Sequence, residues 1–320
     1  MSAEVGAGLW DTDEHGFGDR GLPRPSKHLE LTPVSAQAEV PPTRIRPRLP
    51  WLREILVITI VYVVYGLVRN QFGSAHLGTG EAPVHAFNNA VRVIDFEKTL
   101  GLFHEPTIQG WFLGTPFIAF FNIFYGTAHF VVTLGVLIWL FVRRHHVFTR
   151  WRTMLMATTV LALIGFALFP LMPPRLVNAN PTDSRYGGGD LATERNLPDF
   201  GFVDTLRDND GLWSFDSAGM DNISNQYAAM PSLHIAWSVW CMMALWRFSR
   251  RRTSRVLAAA YPVVTLIAIV ATANHYIIDA VGGLAIVATG YLIANGVDKL
   301  HRRRHDDAGE GSSEDVLVPA

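Results

Sequence analysis

Two short stretches far apart in the chain hold residue types that together can move a phosphoryl group. They are Met230-Pro231-Ser232-Leu233-His234 and Asn274-His275-Tyr276-Ile277-Ile278-Asp279, and each stands where a long apolar run begins. An imidazole becomes a directed nucleophile when one ring nitrogen is held by a hydrogen bond and the other keeps its lone pair. His275 and Asp279 are spaced for this. Four residues apart, they fall on one helix face, with the acid about 6 Å further along the axis. A carboxylate inside a membrane span costs on the order of 3 kcal/mol, so Asp279 needs a partner within the bundle, and His275 is at hand. His234 can supply the proton that a leaving alkoxide takes. With Pro231 at the first helical position, Ser232 offers a hydroxyl beside free first-turn amides, where a phosphate binds. By itself the first stretch fits N-capping and a buried histidine equally well, and the second fits a structural His–Asp pair. The two together carry the chemistry.

Such residues need elements that hold them at one membrane face. With 49% hydrophobic and 17% charged residues in 320, the chain is more apolar than a soluble domain requires. The excess gathers in runs of about 20 residues, enough helix to cross a hydrocarbon core of ~30 Å. Six are read, over 51–72, 116–142, 153–171, 231–248, 254–272 and 276–297. The expected fold is all-α, a six-span transmembrane helical bundle occupying 44–304, between disordered cytoplasmic tails at 1–43 and 305–320. The first span is expected to double as a signal anchor.

Arginine clusters set the sidedness, because basic residues collect in short cytoplasmic segments. Arg44, Arg46, Arg48 and Arg53 precede span one; Arg143, Arg144, Arg150 and Arg152 separate spans two and three; Arg247, Arg250, Arg251, Arg252 and Arg255 separate four and five; Lys299, Arg302, Arg303 and Arg304 follow six. Both termini are therefore expected in the cytoplasm and the chemistry on the extracytoplasmic face. Two outer elements are expected as well. Val84, Phe87, Val91 and Ile94 recur at helical spacing beside polar residues, giving an outer amphipathic helix. The long loop over 173–230 reads as a lid with Gly187, Gly188 and Gly189 for flexibility. Cys241 is the single cysteine, so no intramolecular disulfide or thiolate zinc cluster is available.

The Pro-Ser-Leu-His and His-Tyr-x-x-Asp stretches, set among six spans, resemble the type 2 phosphatidic acid phosphatase superfamily, and within it the inositol phosphorylceramide synthase branch, over roughly 97–290. The resemblance implies that His275 is the nucleophile that becomes phosphorylated, that Asp279 orients it, that His234 protonates the leaving group and that Ser232 contacts the phosphate. Leu233 replaces the glycine of the phosphatases, as in the sphingolipid synthase branch. The first motif of the phosphatases, Lys-x6-Arg-Pro, is reduced here to Arg175, with Leu168 at the lysine position, and Ile269 stands where an arginine is usual. Two cationic phosphate contacts are thus missing. Arg185, Arg195, Arg207, Tyr227 or Asn274 are candidates to replace them, since the spreading charge of a transferring phosphoryl group must be stabilised. Asn122, Tyr125 and His129 share one helix face in span two. The branch is similar there, which implies substrate positioning by Tyr125 and His129, with interhelical packing nearly as good an account. Glu97 and Glu105 also resemble the branch, without a chemical task.

The expected activity is phosphotransfer at a membrane face, moving a phosphorylated head group between lipid-linked substrates through a phosphohistidine. With water as acceptor the same site is a lipid phosphate phosphatase. The expected partners are the bilayer and a phospholipid or other lipid-linked phosphate, with no nucleic acid, metal or cofactor. Two other classes are weighed against this: a metal site made by His129, His234, His275 and Asp279, and a noncatalytic lipid-binding or transport protein with a polar pocket.

Overall fold

The arrangement of helix starts explains how two distant sequence stretches meet. The computed structural model describes residues 81–177, 188–206 and 226–314 together with six isolated positions between 52 and 67; for 81–83 and 304–314 it describes backbone only. The tail 1–43, most of the expected span 51–72 and residues 178–187 and 207–225 of the loop lie outside the described residues. The described residues form helices α1 (Glu81–Thr99), α2 (Glu105–Phe112), α3 (Pro116–Arg143), α4 (His145–Leu168), α5 (Pro174–Val177), α6 (Gly188–Glu194), α7 (Leu233–Phe248), α8 (Arg252–Ala271) and α9 (Ile277–Glu314). The one β feature among them is an isolated parallel bridge between Leu171 and Ala228.

Four helices, α3, α4, α8 and the 277–303 part of α9, are long and apolar enough to cross a membrane. Their apolar surface is not all consumed by packing. Along α3, Phe120, Ile123, Phe130, Leu134, Ile138 and Val142 are exposed at steps of three, four or seven residues. A stripe of this size on a soluble protein would be an aggregation hazard, whereas in a bilayer it is the lipid face. The chain is accordingly a helical membrane protein.

Helix α7 is different in kind. At 16 residues it spans about 24 Å, short of a ~30 Å hydrocarbon core. It packs against α3, α4, α8 and α9 at once, and Ile235, Ala236, Trp240, Cys241 and Ala244 are buried. The Trp240 indole N–H donates to the Trp151 carbonyl at 3.1 Å, so its single polar group is satisfied within the core.

Several boundaries differ from those read in the sequence. Helix α4 starts at His145 rather than 153, directly after the Arg144 cap of α3, because the arginines of this turn sit on helix rather than in a loop. Helix α9 continues past the expected tail start at 305 to Glu314, in a segment where Arg302 pairs with Asp298 one turn back at 3.0 Å. Pro231 is not the first helical residue. Ser232 is the N-cap, its hydroxyl accepting from the Ile235 N–H at 3.5 Å. Its own N–H donates to Asp279 on another helix, and the helix begins at Leu233, two residues after Pro231.

Helix α1 spends its apolar face on protein. Phe87, Ala90 and Ile94 pack with Leu171, Met172 and Tyr227 in one buried cluster. Gly188 and Gly189, expected to loosen the loop, are buried at the start of α6. A Cβ on Gly188 would overlap the Leu176 carbonyl, so here glycine serves close approach.

Candidate active site

Helix α8 ends at Ala271, and a tight turn over 272–276 returns the chain into α9. Ala273 takes a positive φ of 49° in this turn, and the backbone N–H groups of Asn274 and His275 both donate to the Ile269 carbonyl, at 3.0 and 3.2 Å. His275 therefore precedes the helix instead of riding on it, which corrects the expectation that it shares a helix face with Asp279. The contact forms nonetheless: Nδ1 of His275 lies 3.2 Å from Oδ2 of Asp279. The same oxygen accepts from the Tyr276 N–H at 2.9 Å. Both side chains are buried, at 2% and 0% exposure. With Asp279 as acceptor, the proton of His275 sits on Nδ1 and the lone pair on Nε2.

That Nε2 faces Nδ1 of His234 at 3.3 Å. His234 belongs to the first turn of α7, and α7 is tied to α9 by a backbone bond, the Ser232 N–H donating to the Asp279 carbonyl at 3.0 Å. Close crossing makes this bond feasible. A Cβ on Gly283 would stand 2.5 Å from the Ser232 carbonyl oxygen and 3.2 Å from the Ile235 Cβ. Since the Nε2 lone pair of His275 accepts, His234 donates from Nδ1, leaving its own Nε2, a buried atom, without a hydrogen-bond partner.

Helix α3 supplies the far wall. Tyr125 stacks on His234 with centroids 4.4 Å apart, and His129 meets the same ring edge-on at 4.2 Å. Nδ1 of His129 lies 2.9 Å from the Tyr125 carbonyl, an obligatory acceptor, which places the His129 proton there. The structure thus brings His275, Asp279, His234, Tyr125 and His129 together. Asn122, on the same face, turns elsewhere: it donates to the Thr205 carbonyl at 2.9 Å and accepts from the Thr205 hydroxyl at 3.0 Å.

Arg175 sits beside the turn that carries His275. Its N–H donates to the Ala273 carbonyl at 2.8 Å, its Nε to the Asn274 side chain at 2.9 Å, its Nη1 to Asp204 at 2.9 Å and its Nη2 to the Gln226 side chain. Asn274 in turn donates to the Thr272 hydroxyl at 2.8 Å. A phosphate reaching this guanidinium would compete with the Asp204 carboxylate. Of the other cations considered, Arg195 donates to Asn88 and lies over Phe87, on α1; Arg185 and Arg207 lie outside the described residues. Tyr227 is buried, its carbonyl accepting from the Leu171 N–H at 2.8 Å.

Sequence reading missed Asp204, Gln226 and Gln109. Gln109 donates to the Val203 carbonyl at 2.8 Å and accepts from the Val203 N–H at 3.0 Å. Together with Asn122 and Arg175 it clamps the segment 203–205 onto the bundle. No pattern marks such residues, because a lone polar side chain on a helix or in a loop reads as solvated until its partner is known. Among the described residues, no group of three or more His, Cys, Asp or Glu side chains is disposed to hold a metal ion.

All these groups lie where α7 and α9 begin and α8 ends, at the opposite end of those helices from the arginines at 250–252 and 302–303. A family model described as the PAP2 superfamily matches residues 91–293, well over half of the chain. The comparisons with curated proteins and with solved structures find no match.

Proposed function

Because the chain belongs to the PAP2 superfamily, we propose that it is a membrane phosphotransferase that moves a phosphorylated head group between lipid-linked substrates through a phosphohistidine on His275. One observation carries the reading: His275 has Asp279 on one ring nitrogen and the His234 Nδ1 on the other, at 3.2 and 3.3 Å. In the first half-reaction the Nε2 lone pair forms a bond to phosphorus. The bond from phosphorus to the leaving oxygen breaks, and that oxygen takes a proton from His234 in its imidazolium form. In the second, neutral His234 takes a proton from the acceptor hydroxyl, whose oxygen displaces the histidine.

Two contacts of ~3 Å, nitrogen to phosphorus and nitrogen to leaving oxygen, require the two rings to stand on the order of 6 Å apart. The 3.3 Å contact must therefore open as substrate arrives. Ser232 and Arg175 are assigned to the phosphate oxygens, and Tyr125, His129 and Asn274 to substrate positioning. Placement of the site at the end opposite the arginines supports an extracytoplasmic active face and cytoplasmic termini. Six spans follow if residues 51–72 and the short α7 complete the four long helices.

Leu233, which resembles the inositol phosphorylceramide synthase branch, supports transfer over hydrolysis. With water as acceptor the same steps make a lipid phosphate phosphatase. The test is to incubate the purified protein with labelled phospholipids, with and without ceramide, diacylglycerol or inositol, and to look for acid-labile label on the protein. A new phosphorylated lipid together with labelled His275 supports transfer, and free phosphate supports hydrolysis. Turnover by His275→Ala at the wild-type rate would falsify the assignment.

A further inference from the structure

Three consecutive N–H groups at the start of α9 are each taken by a different carboxyl group. Tyr276 donates to Asp279 at 2.9 Å, Ile277 to Oε1 of Glu105 at 2.9 Å and Ile278 to Oε1 of Glu97 at 2.8 Å. The last two come from other helices. Glu97 lies near the end of α1 and Glu105 begins α2, and the turn between them, closed by the Leu102 N–H donating to the Glu97 carbonyl at 2.8 Å, brings the two together. Both side chains are completely buried.

Each glutamate uses one oxygen on α9 and leaves the other, Oε2, buried without a conventional partner. The two carboxyl groups nevertheless stand side by side, since they accept from the consecutive N–H groups of Ile277 and Ile278. Two acceptors side by side in a dry site repel, and two buried like charges there are strongly unfavourable. One proton between them removes both problems, since each orphan oxygen then becomes donor or acceptor to the other. Asp279 and Tyr276 face the pair from α9, and neither is a cation. Lys98, next to Glu97, turns away, its Nζ 4.8 Å from the Phe200 ring centre and 5.2 Å from that of Phe103. Among the described residues no ion pair reaches either glutamate.

We propose that Glu97 and Glu105 hold a single proton between them and, as a pair bearing one negative charge, are positioning residues that fix the first turn of α9 and so aim His275 and Asp279. One net charge suits the positive end of a helix dipole, whereas two beside Asp279 would not. The aiming step rests on the phosphohistidine reading. The shared proton does not.

Glutamine substitution separates a shared proton from simple packing. In Glu97→Gln the amide oxygen accepts from Ile278 while the NH2 donates permanently to Glu105, reproducing the protonated acid; Glu105→Gln does the same in mirror image. In the double variant two NH2 groups meet head to head. Each single variant of the full-length protein should keep its fold and its kcat within about threefold, while the double loses about tenfold or more beyond the product of the singles, with KM little changed. Infrared difference spectra of wild type against Glu97→Gln should show a protonated buried carboxyl at neutral pH that disappears in the variant. Additive losses, or the absence of that carboxyl band in the wild type, would overturn the proposal. The infrared readout and a thermal-unfolding cycle on the same variants need no turnover, so an active His275→Ala would sink the reaction reading while leaving the pair to be judged separately.

Discussion

Nε2 of His275 and Nδ1 of His234 stand 3.3 Å apart, although 41 residues separate them in the chain. The contact fixes which nitrogen each ring offers. The ring backed by Asp279 keeps its lone pair on Nε2, and its neighbour donates a proton toward it.

Removal of the proton donor should depend on the leaving group. His234→Ala is expected to slow release of a lipid alcohol by about 10²–10⁴-fold. An activated aryl phosphate, whose leaving oxygen needs no proton, should be slowed far less in formation of the labelled enzyme. Equal slowing of both substrates in single-turnover assays would count against His234 as the donor.

Asp279→Asn replaces an acceptor by an amide where the Tyr276 N–H and the His275 Nδ1 both point. The imidazole loses the bond that orients its tautomer, so kcat should fall by about 10²–10⁴-fold with a smaller change in KM. Circular dichroism and thermal unfolding check that the fold survives.

Contact between α7 and α9 depends on Gly283. Gly283→Ala places a methyl 2.5 Å from the Ser232 carbonyl oxygen, and overpacking of this kind costs about 1–3 kcal/mol. Helix α7 should move off α9, parting the two histidines, so melting temperature and kcat should fall together. Gly296→Ala on the same helix meets nothing within 4 Å and should leave activity intact while gaining up to about 1 kcal/mol from helix propensity.

Asp204 competes for the guanidinium assigned to phosphate. Asp204→Asn keeps the shape of the loop while removing the charge beside Arg175 at 2.9 Å. KM for a phosphorylated lipid should drop severalfold, and Arg175→Ala should raise it. Unchanged KM in both variants would confine Arg175 to holding the loop.

Stability should carry the signature of Glu97. Burial first, then the hydrogen bond and charge of Glu105, push its carboxyl group up from 4.5 to about 9. The native state therefore keeps a proton that the unfolded chain releases above about 4.5. The resulting stability is whole below that pH and is lost as pH rises to about 9. The melting temperature of the wild type should fall with pH across this window more steeply than that of Glu97→Gln, which has no proton to lose. Parallel curves would contradict the assignment.

The sequence by itself determined the helical membrane character and the two motif stretches that hold His234, His275 and Asp279, because apolar run length and residue type are local properties. It also marked Glu97 and Glu105 without explaining them. Only the tertiary structure decided that His275 sits in a turn before α9 and that Ser232 caps α7 while its N–H reaches Asp279. It also decided that Arg175 is held by Asp204, Gln226 and Asn274, and that two glutamates from α1 and α2 close on the start of α9. Each of these is a pairing of polar groups across long chain separations. Buried donors and acceptors must find partners somewhere, but which partner they find depends on how the helices cross, and helix crossing leaves no trace in local periodicity.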